Sequence, residues 1–193
     1  MSTLHDYLTP YYPFTAGEWL RIDAEFLPKP YARNDFLVSS GQTDRYIWFI
    51  DTGIVRIFEE PDDATEQTFY FTSAGQFVAD PESFGRQIPS LVNIQVVTPC
   101  QTRAVSYDGF QRLVRDVPAW NDTVQRITER ALMEKVQKRS RLLYEDAKAR
   151  YLRLLVEQPD VVQYVPLGMI ASYLGITLPS LSRLRKQLAT QHA

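Results

Sequence analysis

Cysteine and histidine are scarce in this sequence, which has one cysteine and two histidines among 193 residues. The single thiol, Cys100, excludes an intrachain disulfide and any zinc or iron–sulfur site built from several cysteines. The histidines, His5 and His192, lie outside the region predicted below to form strands. A haem ligand or a metal-dependent barrel enzyme is therefore not expected, and without a histidine base no nucleophile–base pair can be proposed. We expect no cofactor, no metal site and no catalytic residue, hence no enzyme.

Long apolar runs are also missing. No segment approaches the roughly 18 uninterrupted apolar residues of a membrane span, and the N-terminus lacks a basic region followed by an apolar core. The apolar fraction of 45% is ordinary for a globular protein. We expect a cytoplasmic protein without a membrane partner, large enough for one sizeable domain or two modest ones.

Acidic residues are absent from the last part of the chain, because no Asp or Glu follows Asp160. Up to Gln125 there are nine Lys or Arg against seventeen Asp or Glu, whereas the remainder has twelve against six. The front is thus acidic and the back basic. A basic back half suits a polyanion such as double-stranded DNA.

The stretch from Leu167 to Lys186 has the pattern of two short helices joined by a tight turn. Gly175 lies where the first helix must end, since glycine readily adopts the left-handed conformation. Thr177 is a candidate N-cap for the second helix, and Pro179 falls in that helix's first turn. Two apolar rows at helical spacing are predicted to pack on each other: Ile170 and Leu174, then Leu181, Leu184 and Leu188.

This pattern is that of a helix-turn-helix whose second helix enters the DNA major groove. Arg183 can donate two hydrogen bonds to a guanine, whereas Leu178 can touch only a thymine methyl group or a sugar. The remaining candidates are expected to contact phosphates and set the register. The full set of candidate DNA contacts is Ser172, Thr177, Leu178, Ser180, Ser182, Arg183, Arg185 and Lys186. The alternative is a pair of packed helices that caps another domain.

The middle of the chain has short β-branched and aromatic runs separated by turn residues, which predicts strands at 36–38, 46–50, 54–58, 68–71, 93–97 and 102–106. Gly53 is predicted to form a tight hairpin between the second and third of these. Many short strands predict a small antiparallel roll rather than a parallel sheet. Residues 1–14 are expected to form an extended leader, and residues 161–165 a short strand or a turn.

Helices are predicted at 15–26, where Thr15 and Glu18 have capping-box spacing, and at 107–114, 118–144 and 147–158. The longest of these carries two apolar stripes, which suggests two packing partners, the roll and a second copy of the chain. The stripe predicted to form the dimer interface is Trp120, Val124, Ile127 and Ala131, beside a second stripe of Leu132, Val136 and Leu143. Alternatively, both stripes are buried in one core.

A β-roll, a long helix and a C-terminal helix-turn-helix, in this order, resemble the bacterial Crp/Fnr family of transcription regulators. The resemblance implies an α+β fold: an N-terminal antiparallel β-roll of the double-stranded β-helix or jelly-roll type at 1–117, a dimerisation helix at 118–144 and a DNA-binding domain at 145–193. It implies a homodimeric regulator that binds DNA, with RNA polymerase as a further partner. The alternative is a ligand-binding or protein-interaction module whose helix-turn-helix is vestigial. Few residues follow Lys186, so no wing strands are expected there.

The nucleotide-binding members of that family carry a phosphate cassette. Aligned on Gly75, the position of its ribose-binding Glu falls on Asp80, and the position of its phosphate-binding Arg and the residue after it fall on Ser90 and Leu91. Asp is shorter than Glu, and Ser cannot supply the charge or the fork of an arginine. Arg86 is a candidate substitute from the intervening loop. We predict that cyclic nucleotide binding is lost or very weak; the effector is unknown. A roll interior filled by aromatic side chains would agree with that loss.

Overall fold

A computed structural model describes residues 3–60, 66–142 and 144–191, so Leu143 and His192 lie outside the described residues. The first part contains α1 (Leu4–Leu8), α2 (Ala16–Glu25), β1 (Leu27–Tyr31), β2 (Phe36–Val38), β3 (Tyr46–Glu59), β4 (Gln67–Ser73), β5 (Gln76–Val78), α3 (Pro81–Arg86) and β6 (Asn93–Ser106). The second part is helical: α4 (Tyr107–Asp116), α5 (Trp120–Leu142), α6 (Ala147–Glu157), α7 (Pro159–Tyr164), α8 (Leu167–Leu174) and α9 (Leu178–Gln191). None of the helices within these ranges has the length and apolarity to cross a membrane.

The strands form an antiparallel sheet in the order β1-β6-β3-β4, with β2 paired to β6 and β5 paired to β3. The two long strands β3 and β6 run along each other from the pair Tyr46 and Ser106 to the pair Phe58 and Asn93. Inside the roll, their inward side chains form a core with β2 and β5 that includes Trp48. The predicted antiparallel β-roll with C-terminal helices is confirmed.

The hairpin predicted at Gly53 is wrong, because 46–59 is one continuous strand. Gly53 has φ 101°, and the register between β3 and β6 shifts on both sides of it. A Cβ at this position would lie 2.6 Å from the Pro99 carbonyl oxygen and 2.9 Å from the Cys100 Cα. Glycine is needed here for close approach of the neighbouring strand at a bulge that bends β3.

The helix predicted after Thr15 is confirmed, and its capping box with Glu18 is present. The leader is not fully extended, however, since residues 4–8 form α1, which begins with a second capping box between Thr3 and Asp6. The prolines after α2 do more than end that helix. They lie in β1 at the edge of the sheet, where a missing N–H is tolerated.

The predicted dimer stripe on α5 packs largely against its own chain. Trp120 is only 2% exposed and contacts the rings of Phe14, Phe26 and Phe110 at 6.1–6.4 Å between centroids. The next two members of the stripe, Val124 and Ile127, are half-buried against the same core, and Ala131 is exposed. Trp120 therefore has no surface left for a second copy. Helical periodicity identified an apolar face but not which partner covers it.

The second apolar stripe of α5 is the exposed one. Its members Leu132 and Val136 are 60% and 55% exposed, one to two turns beyond the part of α5 that packs on the roll, and the adjacent Met133 is 61% exposed. Large apolar side chains at helical spacing with this exposure form an unpartnered face. This face, rather than the Trp120 stripe, is available to a partner.

The C-terminal helices share one hydrophobic core with the outer face of the roll. Ile54, Phe71 and Val97 contribute from β3, β4 and β6, and the helices contribute buried side chains that include Ile170 and Leu181. The helix predicted at 147–158 is confirmed as α6, whereas 161–165, predicted as a strand or a turn, lies mostly in α7. The sheet is thus the platform on which α8 and α9 are mounted.

Candidate nucleic-acid interface

The turn between α8 and α9 has the predicted helix-turn-helix geometry. Gly175 ends α8 with φ 65° and ψ 34°, the left-handed conformation. Its N–H donates to the carbonyl of Ser172 at 3.0 Å, and the N–H of Ile176 donates to the carbonyl of Ala171 at 3.0 Å. Ala171, four residues before this glycine, is 2% exposed and lies in the core that includes Leu181 of α9.

The start of α9 is capped by Thr177, as predicted. The N–H of Ser180 donates to the Thr177 hydroxyl oxygen at 3.3 Å, and the two hydroxyl groups lie 2.9 Å apart. Pro179 occupies the first turn, where a backbone N–H has no intrahelical acceptor. Leu181 and Leu188 are buried on the opposite side of α9. The apolar row therefore fixes which side of α9 faces solvent.

The solvent side of α9 carries the predicted reading residues. We call this surface the α9 ridge; its exposed members are Thr177, Leu178, Ser182, Arg183, Arg185 and Lys186. Its three cations form no ion pair with any carboxylate among the described residues. A cationic helix face without acidic neighbours is the electrostatic footprint expected for a polyanion partner.

Arg185 lies at one edge of the α9 ridge. It lines a cleft of about 230 Å³ between α6 and α9, whose other lining residues are Tyr151, Leu152, Leu155, Leu188 and Ala189. Arg183, one position from the exposed Ser182, instead approaches Ser180, whose hydroxyl oxygen is 3.5 Å from its Nη2. The two arginines therefore differ in surroundings: Arg185 lies beside α6, whereas Arg183 lies beside Ser180 in the N-terminal half of α9.

Ser172 does not belong to the α9 ridge, although it was predicted as a DNA contact. Its hydroxyl donates to the carbonyl of Glu66 at 2.6 Å and accepts the N–H of Thr68 at 2.9 Å. Its carbonyl accepts a hydrogen bond from the side chain of Gln67 at 2.9 Å. Both sides of Ser172 are thus occupied by β4, and its hydroxyl is not available to a phosphate.

The predicted ligand cassette is closed by hydrogen bonds among its own residues. The Asp80 carboxylate caps α3 by accepting the N–H groups of Glu82 and Ser83 at 3.1 and 3.3 Å. Its second oxygen accepts the hydroxyl of Ser90 at 2.7 Å, and that hydroxyl oxygen also accepts the N–H of Val92 at 3.1 Å. The two positions predicted to have replaced the ribose and phosphate ligands therefore bind each other.

A second carboxylate lies behind the cassette. Asp44 is 1% exposed and accepts the N–H groups of Tyr46 and Asp80 at 3.0 and 2.8 Å. Burial, assisted by the nearby charge of Asp80, raises the pKa of Asp44 to about 6. Two carboxylates this close together disfavour an anionic phosphate beside them. In the described part of the chain, no cluster of three or more His, Cys, Asp or Glu side chains could hold a metal ion.

The other cassette candidates point away from a shared site. Gly75 occupies a turn with φ 80°, and its N–H donates to the Ile50 carbonyl at 2.7 Å. Arg86 is exposed and pairs with Glu82 one helical turn earlier, at 2.9 Å. Leu91 is 79% exposed. The structure therefore does not bring Arg86 to Asp80 and Ser90 as a replacement cation.

The interior of the roll is filled by side chains, several of them aromatic. Trp48 is buried there and donates its indole N–H to the hydroxyl of Tyr31 at 3.1 Å. Tyr46 packs against it with ring centroids 5.8 Å apart. Aliphatic side chains complete this core: Val38, Ile50, Val55, Val78, Ile94 and Val96. The core is therefore mostly aliphatic, with Trp48 and the partly buried Tyr31 and Tyr46 as its aromatic members.

Comparisons with known proteins agree with this architecture. A family model for the cyclic nucleotide-binding domain matches residues 28–116. Two curated relatives are the CRP-like proteins Clp of Xanthomonas euvesicatoria pv. vesicatoria (strain 85-10) and Xanthomonas axonopodis pv. citri (strain 306). Each is 24% identical over 164 residues, which cover 81% of this chain and 71% of the relative.

Solved structures share the fold over most of the chain. The c-di-GMP responsive global regulator CLP of Xanthomonas campestris has a TM-score of 0.71 at 22% identity, covering 92% of this chain and 93% of its own. FixK2 of Bradyrhizobium japonicum has a TM-score of 0.74 at 18% identity and covers 86% of each chain. The chain is thus similar to Crp/Fnr-type regulators in fold and, more weakly, in sequence, and residues 28–116 match the cyclic nucleotide-binding domain. The resemblance predicted from the sequence is confirmed.

The structure also reveals residues that the sequence analysis did not single out. Arg56 is only 3% exposed and donates to the side-chain oxygen of Gln95 at 3.0 and 2.7 Å. It also pairs with the carboxylate of Glu66, which directly precedes β4. A buried arginine is unusual unless it is paired. An arginine within an apolar strand pattern, here Arg56 between Val55 and Ile57, is the sequence signal for such a pair. The pattern at 54–58 was used only to predict a strand, and so Arg56 was not singled out.

Proposed function

We propose that this protein is a DNA-binding transcription regulator of the Crp/Fnr type that acts without a cyclic nucleotide. The observation that carries the proposal is the α9 ridge: three cations stand exposed on the second helix of a helix-turn-helix, unpaired by any described carboxylate. The relatives support the same role, since they are named as CRP-like proteins and a global regulator.

Roles can be assigned to the residues of the α9 ridge from their chemistry. Arg183 reads a guanine through its forked donors, and Leu178 contacts a thymine methyl group or a sugar. Ser180, Ser182 and Lys186 hold phosphates and set the register. Arg185, on the side of α9 nearest α6, also binds a phosphate. Ser172 is removed from the set of contacts because its hydroxyl is bonded to β4.

The regulator acts as a homodimer in this proposal. The exposed apolar face of α5, with Leu132, Met133 and Val136, supplies the seam, because helix pairs bury such faces against each other. Two α9 ridges related by a two-fold axis then read a palindrome with half-sites about one helical turn apart. RNA polymerase is the further partner that a transcription regulator of this kind requires.

The roll acts in this proposal as a platform that has no cyclic nucleotide effector. Its interior is packed, and the cassette positions Asp80 and Ser90 are bonded to each other. Two carboxylates, Asp44 and Asp80, stand where a cyclic phosphate would need cations. Binding of cyclic AMP or cyclic GMP would have to break these bonds and neutralise these charges.

Selection of bound duplexes from random-sequence DNA tests the proposal. We expect the full-length protein to enrich a palindrome and to lose affinity steeply between low and moderate salt, since phosphate contacts release counterions. The Arg183→Ala variant should bind more weakly and enrich a palindrome whose preference is relaxed at one base position of each half-site. If no sequence is enriched and binding hardly changes with salt, the proposal is wrong and the protein is an interaction module with a vestigial helix-turn-helix.

Calorimetry tests the second part of the proposal, that the protein acts without a cyclic nucleotide. Titration with cyclic AMP and cyclic GMP should give no binding heat at micromolar concentrations. Micromolar binding of either nucleotide would contradict the closed cassette.

A further inference from the structure

The helix-turn-helix is joined to the roll by a specific polar contact as well as by the shared core. Ser172, in the last turn of α8, bonds through its hydroxyl to the backbone of Glu66, which directly precedes β4, and of Thr68 in β4. One residue further on, the ring of Tyr173 packs on Phe71 of β4 with centroids 5.4 Å apart. The first helix of the reading motif is therefore fixed to the edge strand of the sheet.

The β4 end of this contact is itself held from inside the sheet. Arg56 of β3 pairs with the Glu66 side chain, while the Glu66 carbonyl accepts the Ser172 hydroxyl. Gln95 of β6 and the Phe58 ring hold the guanidinium from the other sides, with the Arg56 Cζ 3.9 Å from the ring centroid. A run of direct contacts thus leads from β6 through β3 to the helix-turn-helix.

Loss of this contact should be unfavourable in free energy. Thr68 is 1% exposed in the docked arrangement, so its N–H stays buried and loses its acceptor if the Ser172 hydroxyl is removed while α8 remains in place. Arg56 is similarly committed, because a buried guanidinium that loses its carboxylate partner stays charged. The arrangement therefore favours a single orientation of α8 on the sheet.

The docked orientation leaves the reading surface free. Ser172 and Tyr173 face β4, whereas the cations of the α9 ridge, Arg183, Arg185 and Lys186, are exposed. A regulator that reads two half-sites at once needs both α9 helices at a fixed separation and angle. A rigid joint between each helix-turn-helix and its roll supplies this constraint.

We propose that Ser172, Glu66 and Arg56 are positioning residues that set the orientation of the reading helix, so that this joint, and not a direct base contact, determines the half-site spacing the protein accepts. The inference rests on the proposed DNA-reading function. It assigns Ser172 to the joint, and it makes Arg56 act through Glu66 on a helix more than a hundred residues away in sequence.

Half-site spacing is the readout that separates positioning from contact. We would select the preferred palindrome with wild-type protein and then measure affinity for duplexes whose half-sites are moved apart or together by one or two base pairs. Wild type should bind the altered spacings on the order of tenfold or more weakly. Ser172→Ala should reduce that discrimination to about threefold or less, because the free energy of a buried hydrogen bond no longer enforces one orientation.

Ser182→Ala is the matched comparison, since Ser182 is an exposed serine of the α9 ridge. It should weaken all spacings by the same factor and leave the discrimination intact. Glu66→Gln should act like Ser172→Ala in part, whereas Glu60→Gln, at an exposed carboxylate near the end of β3, should not. If Ser172→Ala weakens every spacing equally, as Ser182→Ala does, Ser172 is a DNA contact and the proposal is overturned.

Amide hydrogen exchange of the DNA-free protein gives an independent arm. The Thr68 N–H should be protected in wild type and exchange at least tenfold faster in Ser172→Ala, while Val96 in β6 keeps its protection. An unchanged exchange rate of the Thr68 N–H would overturn the proposal that the Ser172 hydroxyl holds α8 on β4. If wild type binds no duplex but Thr68 behaves as expected, the joint stands as a structural feature and the DNA-reading function is what fails.

Discussion

The cassette after β5 and the α9 ridge are both rich in polar side chains, but these side chains are used in opposite ways. In the cassette, Asp80 and Ser90 are bonded to each other and to nearby backbone. On the α9 ridge, Arg183 and Lys186 face solvent without a carboxylate partner. A polar group that is already satisfied contributes stability, whereas one left to water is available for a ligand. Changes in the cassette should therefore alter stability, and changes on the ridge should alter binding.

The largest effect is expected from Asp80→Ala in the cassette. This change removes the N-cap of α3 and the charged acceptor of the buried Ser90 hydroxyl, which then has only the Val92 carbonyl oxygen at 2.9 Å. Together these losses should lower the free energy of unfolding by about 3 kcal/mol, measured by urea denaturation. Glu82→Ala, which removes only an exposed ion pair with Arg86, should cost less than about 0.5 kcal/mol. A small effect of Asp80→Ala would show that the cassette is not closed in solution.

The pH dependence of the free energy of unfolding is a second test of the cassette region. The pKa of Asp44 is raised in the folded protein to about 6, so the folded state holds the proton more tightly than the unfolded chain does. Its contribution to stability is full below about pH 4 and is lost as the pH rises through 6, by up to about 3 kcal/mol. Unfolding at a series of pH values should show this decline on top of the contributions of other carboxylates.

Asp44→Asn is the control for that decline. The amide does not ionise, so the difference between wild type and variant should change between pH 4 and pH 7 in the direction that favours wild type in acid. The variant is expected to be less stable overall, because Tyr46 and Asp80 donate to different oxygens of Asp44, and the amide replaces one of these acceptors with an NH2 donor. The slope with pH is therefore the readout. A difference that is constant with pH would contradict the raised pKa.

On the α9 ridge, Arg183→Ala is expected to have the larger effect on binding. Loss of a forked donor should cost about 2 kcal/mol on the selected palindrome and relax the preference at one base position of each half-site. Competition binding with single-base variants measures this. Its unfolding free energy should match wild type, since Arg183 is exposed. An equal loss on all sequences would assign Arg183 to the phosphates instead.

The smallest effect is expected from Lys186→Ala. A phosphate contact carries no sequence information, so affinity should fall by a similar factor, under about 1 kcal/mol, on every duplex. The slope of log affinity against log salt should decrease in magnitude by about one for each chain that makes the contact. A salt slope identical to that of wild type would remove Lys186 from the DNA contacts.

Local rules predicted the parts of the fold that local sequence controls. The capping box of Thr15 and Glu18 and the left-handed Gly175 each depend on residues within one helical turn. Gly53 was misassigned because a glycine with positive φ suits a hairpin and a bulge equally well. Only the approach of Pro99 and Cys100 from β6 decides between them, and that contact spans nearly fifty residues.

The candidate site likewise has parts that local sequence predicts and parts that only distant contacts determine. The exposed face of α9 followed from its apolar row, so the α9 ridge could be predicted from periodicity alone. Periodicity could not tell which partner covers the Trp120 stripe of α5. It could not show that Ser172 is bonded to Glu66, either, because those residues are 106 positions apart and no local pattern links them.

The most direct test of the central claim is a titration of the selected palindrome with wild-type protein at two salt concentrations, with and without cyclic AMP. The predicted result is two chains per duplex, an affinity that falls steeply with salt, and no change on adding the nucleotide. A single chain per duplex with a shallow salt dependence, or an affinity that increases with cyclic AMP, would contradict the account.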